Sequence, residues 1–217
     1  RDFLKTGSAS LVYGSALLQG TKLYAQTLKL PLAIQLYSVR ELLPTDFAGT
    51  LKKLSGLGYR EVESAGYYNH SAAEVKQALR DAKLNLVSAH YSSDALHKQF
   101  DQVLAFNKEL GVQYIICSSP ARKDPSKGNS GPFTLDDWKW NADEFNAFGE
   151  KVSAAGMKFG YHNQITAFHT TDGVVPYDEL LRLTDPSKVT MELACGWVTV
   201  GGGAPVASLR KYPTSIS

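Results

Sequence analysis

From Leu32 onward, short apolar runs alternate with amphipathic stretches along the chain. The apolar runs are LAIQLYSV (32–39), REVESA (60–65), NLVSAHY (85–91), VQYIICS (112–118), KFGYHNQ (158–164) and VTMELAC (189–195). Their length and alternation predict strands. The stretches between them carry helical spacing. DFAGTLKKLSGLGY places Phe47, Leu51, Leu54 and Leu57 on one helix face. SAAEVKQALRDAKL opens on Ser71 and Glu74, a capping box, and the long TLDDWKWNADEFNAFGEKVSAAGM opens on a similar Thr134–Asp137 pair. FDQVLAFNKELGV and PYDELLRLTDP complete the helical set, the latter stopping before Pro186. Strands alternating with helices predict βαβ units on a parallel sheet. The first four strands recur every 25 to 28 residues, a spacing compatible with a (β/α)8 barrel.

Parity along each strand separates a lumen face from a helix-covered face. In the fifth strand Gly160, His162 and Gln164 oppose Phe159 and Tyr161. In the sixth, Glu192 and Ala194 oppose Met191 and Leu193. Glu61 and Glu63 oppose Val62, Gln35 and Tyr37 oppose Ile34 and Leu36, and Ser88 and His90 share a face with Leu84 and Leu86. Burying an unpaired carboxylate in a lumen is costly. These groups are therefore expected to meet each other, a ligand or a metal, or to sit at the wet mouth. Barrel sites lie at the C-terminal ends of the strands. Tyr37, Glu63, His90, Ser118, His162, Gln164 and Glu192 or its neighbours converge there. Two Glu, two His and a Gln suit acid–base work on a small polar ligand.

Composition narrows the function classes. Lys plus Arg number 23 and Asp plus Glu 21, and the first 25 residues hold three of the bases and one of the acids. The remainder is balanced, which argues against a nucleic-acid partner. The opening RDFLKTGSASLVYGSALLQGTKLYAQT has a charged head, a mildly apolar middle and Ala25-Gln26, the layout of an export signal rather than a membrane anchor. RDFLK is similar to the twin-arginine export motif, with one arginine in place of two. Residues 1–31 are expected to be an export signal and linker, with the protein working in the periplasm, and residues 32–217 a barrel. Cys117 and Cys195 are too few for a disulfide framework and are expected to be small buried hydrophobes.

IQLYSVR, LGYREVESAGYY, VSAHY, FNAFGEKVSAAGMKFGYHN, PYDELLRLTDPSKVTMEL and GWVTVGGGAPVASLRKYP together resemble the xylose isomerase-like TIM-barrel family, the sugar phosphate isomerases/epimerases, and within it the branch with export leaders. The resemblance implies a sugar, inosose or related polyol as substrate. It implies isomerisation, epimerisation or dehydration assisted by a divalent metal (Mn, Mg, Co or Zn). Glu63 and His90 would handle protons and substrate hydroxyls as the catalytic pair. Gln35, Tyr37, Gln164 and Trp197 would bind substrate, with Gln35 and Tyr37 as the pocket floor, and His162 would hold the metal.

The sequence departs from that family in its ligands. The fifth strand of the branch ends His-Asn-His-x-x-Glu-Phe, whereas here Gln164 and Ala167 replace the second His and the Glu. The sixth ends Glu-Leu-Asp, whereas here Ala194 replaces the Asp ligand. Glu192 has the right parity but lies two residues deeper, about 6–7 Å along the strand, and would require a shifted metal. The chain stops where a seventh strand is expected, so the reading is an incomplete barrel of about six βα units, lacking its last two strands and inactive as a fragment. A non-catalytic carbohydrate-binding barrel that has lost its metal is the alternative. An abasic-site nuclease on a related barrel is disfavoured by the balanced charge and the leader. The loop SSPARKDPSKGNSGPFT (118–134) is read as either a lid or a mobile insert, with Arg122, Lys123 and Lys127 as solvated charge. Gly201–Gly203 is read as a flexible loop, and the three tryptophans as packing on the barrel wall.

Overall fold

The computed structural model describes residues 30–128 and 131–216. Of the export-signal and linker reading of residues 1–31, residues 1–29 lie outside the described residues. Six strands form one parallel sheet in chain order: β1 (Ala33–Gln35), β2 (Glu61–Ser64), β3 (Asn85–Ser92), β4 (Tyr114–Ser119), β5 (Lys158–His162) and β6 (Val189–Glu192). Helices α1 (Phe47–Gly56), α2 (Ala72–Ala82), α3 (Ser93–Leu110), α4 (Leu135–Ala154) and α5 (Pro176–Leu183) alternate with them, and α6 (Cys195–Val200) and α7 (Pro205–Lys211) follow β6. This is the expected α/β architecture, an incomplete barrel in which β1 and β6 do not pair with each other among the described residues. The last residues begin to continue it. Met191 N–H donates to Ser215 C=O at 2.7 Å, and Met191 and Ile216 form a parallel bridge. Among the described residues no helix is long and apolar enough to cross a membrane.

The outward strand residues Val62, Ala89, Ile115, Cys117, Phe159, Tyr161, Val189 and Met191 are buried. Two clusters cover them. One joins Leu51, Leu54, Val62, Val75, Leu79 and Leu84. The other joins Trp138, Phe145, Phe148 and Val152 of α4 to Ile115, Phe159 and Met191. Both expected capping boxes form, Ser71 with Glu74 and Thr134 with Asp137.

Several expectations are corrected. β1 ends at Gln35, and Leu36–Val39 is a 3-10 turn. Tyr37 therefore leaves the strand and stands 57% exposed at the rim, with the Arg40 guanidinium 4.3 Å over its ring. Leu57 caps α1 and is exposed. β6 ends at Glu192, and Cys195 is exposed at the start of α6. Simple parity fails in β3. Its register against β2 slips after Val62, so that Val62 pairs with Leu86 but Glu63 with Ser88. The extra residue turns Leu86 onto the helix-side cluster and Ser88 and His90 into the lumen.

The described part of the 118–134 loop is tied to α4, while Lys123 and Lys127 are exposed as expected. Asn141 of α4 exchanges hydrogen bonds with the backbone of Ala121, and Lys123 N–H donates to Asp137. Arg122 is buried, pairs with Asp137 at 3.6 Å and covers the Phe133 ring. Trp138 is in the core as expected, and Trp140 stacks on His97.

Gly149 on the buried face of α4 permits the close approach of β6. An added Cβ would lie 2.3 Å from the Lys188 carbonyl oxygen. Gly→Ala inside a helix ordinarily stabilises by about 0.5–1 kcal/mol. Here the sign is expected to reverse: Gly149→Ala should cost roughly 1–3 kcal/mol through overpacking, read as a lowered midpoint in urea unfolding.

Candidate functional site

Polar lumen groups meet at the C-terminal ends of the strands. The slip in β3 brings Ser88 beside Glu63, and Ser88 Oγ donates to Glu63 Oε2 at 2.5 Å. This leaves Glu63 Oε1 facing His90 Nε2 at 2.8 Å. The same nitrogen lies 3.3 Å from Glu192 Oε1, and that oxygen lies 2.5 Å from His162 Nδ1. The two imidazole rings are 5.0 Å apart. Glu63, His90, Glu192 and His162 thus alternate acid and base in one chain of contacts from β2 to β6.

The electrostatics follow from this packing. The His90 side chain is 7% exposed, and burial by itself would lower its pKa. Hydrogen bonds and charge from Glu192 and Glu63 outweigh burial and raise it to about 9. Burial pushes the Glu192 carboxyl up, but the hydrogen bonds from His162 and His90 hold it well below the usual carboxylate range. On the other side of His90, Gln35 Oε1 accepts from Tyr37 N–H at 2.6 Å, turning its amide nitrogen toward His90 Nδ1 at 3.5 Å. That contact suits an imidazole accepting at Nδ1. At this length it is weak, and two carboxylates on the other nitrogen dominate.

A cavity of about 640 Å³ opens above the cluster, lined by Gln35, Tyr37, Ala65, His90, Ser92, Ser118, His162, Gln164 and Trp197. Every sequence-expected substrate residue borders it. Tyr37 is at its rim rather than its floor, and Trp197 reaches it from α6, 42% exposed. Gln164 donates to Ser118 C=O at 2.9 Å, leaving its amide oxygen for a ligand. Ala167 and Ala194 supply no ligand atom. Ala167 is fully buried in a 3-10 turn, and the backbone of Ala194 is engaged by Asn163. The sequence places Glu192 at the strand ends without giving it a role, and it does not show Ser88 as the partner of Glu63. Strand parity was the signal for Glu192; the slip in β3 hid Ser88.

His90, His162 and Glu192 each offer a ligand atom, all within 4.8 Å of one another. Two imidazoles and one carboxylate form a donor set suited to a divalent metal with an open position. The residues present therefore fit such an ion, deeper in the lumen than the Ala167 and Ala194 positions.

No protein-family model matches the chain. It is 27% identical over 184 residues to an inosose dehydratase of Clostridium beijerinckii, covering 78% of this chain and 61% of that relative. The chain thus spans about three fifths of the length of the curated relatives it matches. It is also similar to a solved sugar phosphate isomerase/epimerase of Parabacteroides distasonis, with 28% identity, a TM-score of 0.70, and 85% of this chain and 76% of that one covered. The IolI protein, solved with a bound zinc atom, shares the fold at 13% identity and a TM-score of 0.64 over 86% of this chain and 70% of its own. These likenesses agree with the xylose isomerase-like barrel resemblance of the sequence.

The cluster predicts a pH signature in metal-free protein. His90 has a folded pKa above its ordinary 6.5. Its stabilisation is full below that value and is lost as pH rises through about 9. The lowered pKa of Glu192 adds stability that is present above its ordinary 4.5 and is lost as pH falls. In chelator-treated protein, the melting-temperature advantage over His90→Gln should be greatest between those ordinary values, and should shrink on the alkaline side toward pH 9.

Proposed function

We propose that the protein is a sugar-modifying enzyme that moves a proton on the carbon next to a carbonyl, with an inosose or ketose as substrate. The observation that supports this most is the Glu63–His90–Glu192–His162 chain beneath a cavity bordered by amides and aromatic rings. Glu63, oriented by Ser88, is the base that takes the carbon-bound proton. As the C–H bond breaks, its electron pair forms a C=C bond and the carbonyl oxygen gains charge. His90 in its imidazolium form supplies a proton to oxygen. If that oxygen is the carbonyl, an enediol forms; Glu63 then returns its proton to the former carbonyl carbon while the other enediol hydroxyl gives its proton back to His90, and the new carbonyl completes an isomerisation. If the pair instead expels a hydroxyl on the next carbon, that hydroxyl leaves as water with the His90 proton, and the net reaction is dehydration. The inosose dehydratase relatives favour the second course. Gln35 and Gln164 offer amides to hydroxyls, and Tyr37 and Trp197 shield the reacting face from water.

His90, His162 and Glu192 are the residues that would hold a divalent metal. When bound, the ion supplies Lewis-acid polarisation of a carbonyl oxygen. With such an ion held, His90 would be a neutral ligand and not the acid, and Glu63 would be the base. The leader-like residues 1–31 support export to the periplasm as part of the same proposal. A second reading, a carbohydrate-binding barrel without metal or catalysis, is favoured by Ala167 and Ala194.

Incubation with an inosose or D-fructose in deuterium oxide, with and without added Mn or Zn, should incorporate solvent deuterium next to the carbonyl. Glu63→Gln should slow this by roughly 10²–10⁴-fold. No exchange in any of these conditions would sink the proposal.

Metal analysis separates the two readings. Stoichiometric zinc or manganese in the purified protein excludes the metal-free binder. Glu192→Gln should then weaken metal binding by more than the roughly 10–100-fold typical of losing a group that only orients a ligand.

A further inference from the structure

The backbone pairing of β5 with β6 stops at His162 and Glu192. Beyond it the side chain of Asn163 takes over. Its Oδ1 accepts from Ala194 N–H at 2.8 Å, and its Nδ2 donates to Ala194 C=O at 3.3 Å. One amide side chain thus offers the donor and the acceptor that another rung of backbone would supply. Asn163 is fully buried, and losing its amide would leave both Ala194 backbone groups without their protein partner.

Ala194 is the residue from which α6 springs, and Trp197 lies in its first turn. The far end of α6 is held by the same segment. An added Cβ on Gly201 would lie 2.7 Å from Phe168 Cβ and 3.1 Å from the Trp197 carbonyl oxygen. Between the two ends Val198 is fully buried. The six residues from Asn163 to Phe168 therefore grip both ends of α6. Gly201 belongs to that seat, which corrects its reading as part of a flexible loop.

We propose that Asn163 is a positioning residue that, with Phe168, sets Trp197 as a wall of the cavity and, through Ala194, sets Glu192 two residues earlier. This deepens the functional reading above, on which it rests, because Trp197 and Glu192 belong to the site named there. An indole bordering a cavity otherwise rich in polar groups gives the C–H faces of a polyol their apolar partner. The segment that presents no carboxylate to a ligand instead builds that wall.

The test reads Trp197 directly, as the acrylamide quenching of the emission difference between the protein and its Trp197→Phe variant. Asn163→Ala should raise this quenching, weaken inosose binding at least about tenfold and weaken zinc binding as well, since two backbone groups lose their partner. Gly201→Ala should raise the quenching and weaken inosose binding while leaving zinc affinity unchanged, because its contacts do not reach Glu192. Where Asn163→Ala does not melt cooperatively, Gly201→Ala decides. Unchanged Trp197 quenching in the folded variants overturns the proposal. If the wild-type protein binds neither zinc nor an inosose, the functional reading fails, while the ligand-free quenching comparison still decides the role of Asn163.

Discussion

Two carboxylates brought into the lumen of a sheet must be compensated, and His90 is the group that does so. It lies between Glu63 and Glu192, with its side chain almost fully buried. A carboxylate in such a place without a partner would take up a proton or destabilise the fold. Much of the surrounding structure serves this arrangement. The slip in β3 turns His90 inward, Ser88 occupies the second oxygen of Glu63, and His162 occupies Glu192 from the far side.

The same compensation explains why the cluster suits both proton transfer and metal binding. Alternating acids and bases at hydrogen-bond distance pass protons readily. Replacing the His90 proton by a divalent cation would preserve the charge logic, since the neighbouring carboxylates would face positive charge in either state. The Ala167 and Ala194 positions no longer take part. One is packed into the core and the other is tied by its backbone to Asn163. The polar cluster lies deeper than those positions, at the level where Glu192 and His162 are paired in the β5–β6 ladder.

The outer surface follows simpler rules. α4 presents Trp138, Phe145, Phe148 and Val152 to the outward residues of β4, β5 and β6, and its first turns also hold the 118–134 loop through Asp137 and Asn141. Arg122 looked like solvated charge because its neighbours in the chain are polar. Its partners lie on α4 and across the loop, ten or more residues away or nearly so, and local sequence cannot show them.

Local and periodic features were legible in the sequence for a physical reason. Capping boxes join residues three apart, amphipathic helices repeat every turn, and strand parity follows from the pleat, so Ser71–Glu74, Thr134–Asp137, the six strands and the lumen placement of Glu63 and His162 could be read directly. Tertiary structure decided what depends on register and on distant partners. A single slipped residue turned Ser88 and His90 away from the face of Leu86. Early strand endings moved Tyr37 to the rim and put Trp197 on a helix. Glu192 became the centre of the site because His90 and His162, 102 and 30 residues away in the chain, come to it from β3 and β5. Such contacts are set by the packing of whole strands against one another, and no local pattern encodes their distance.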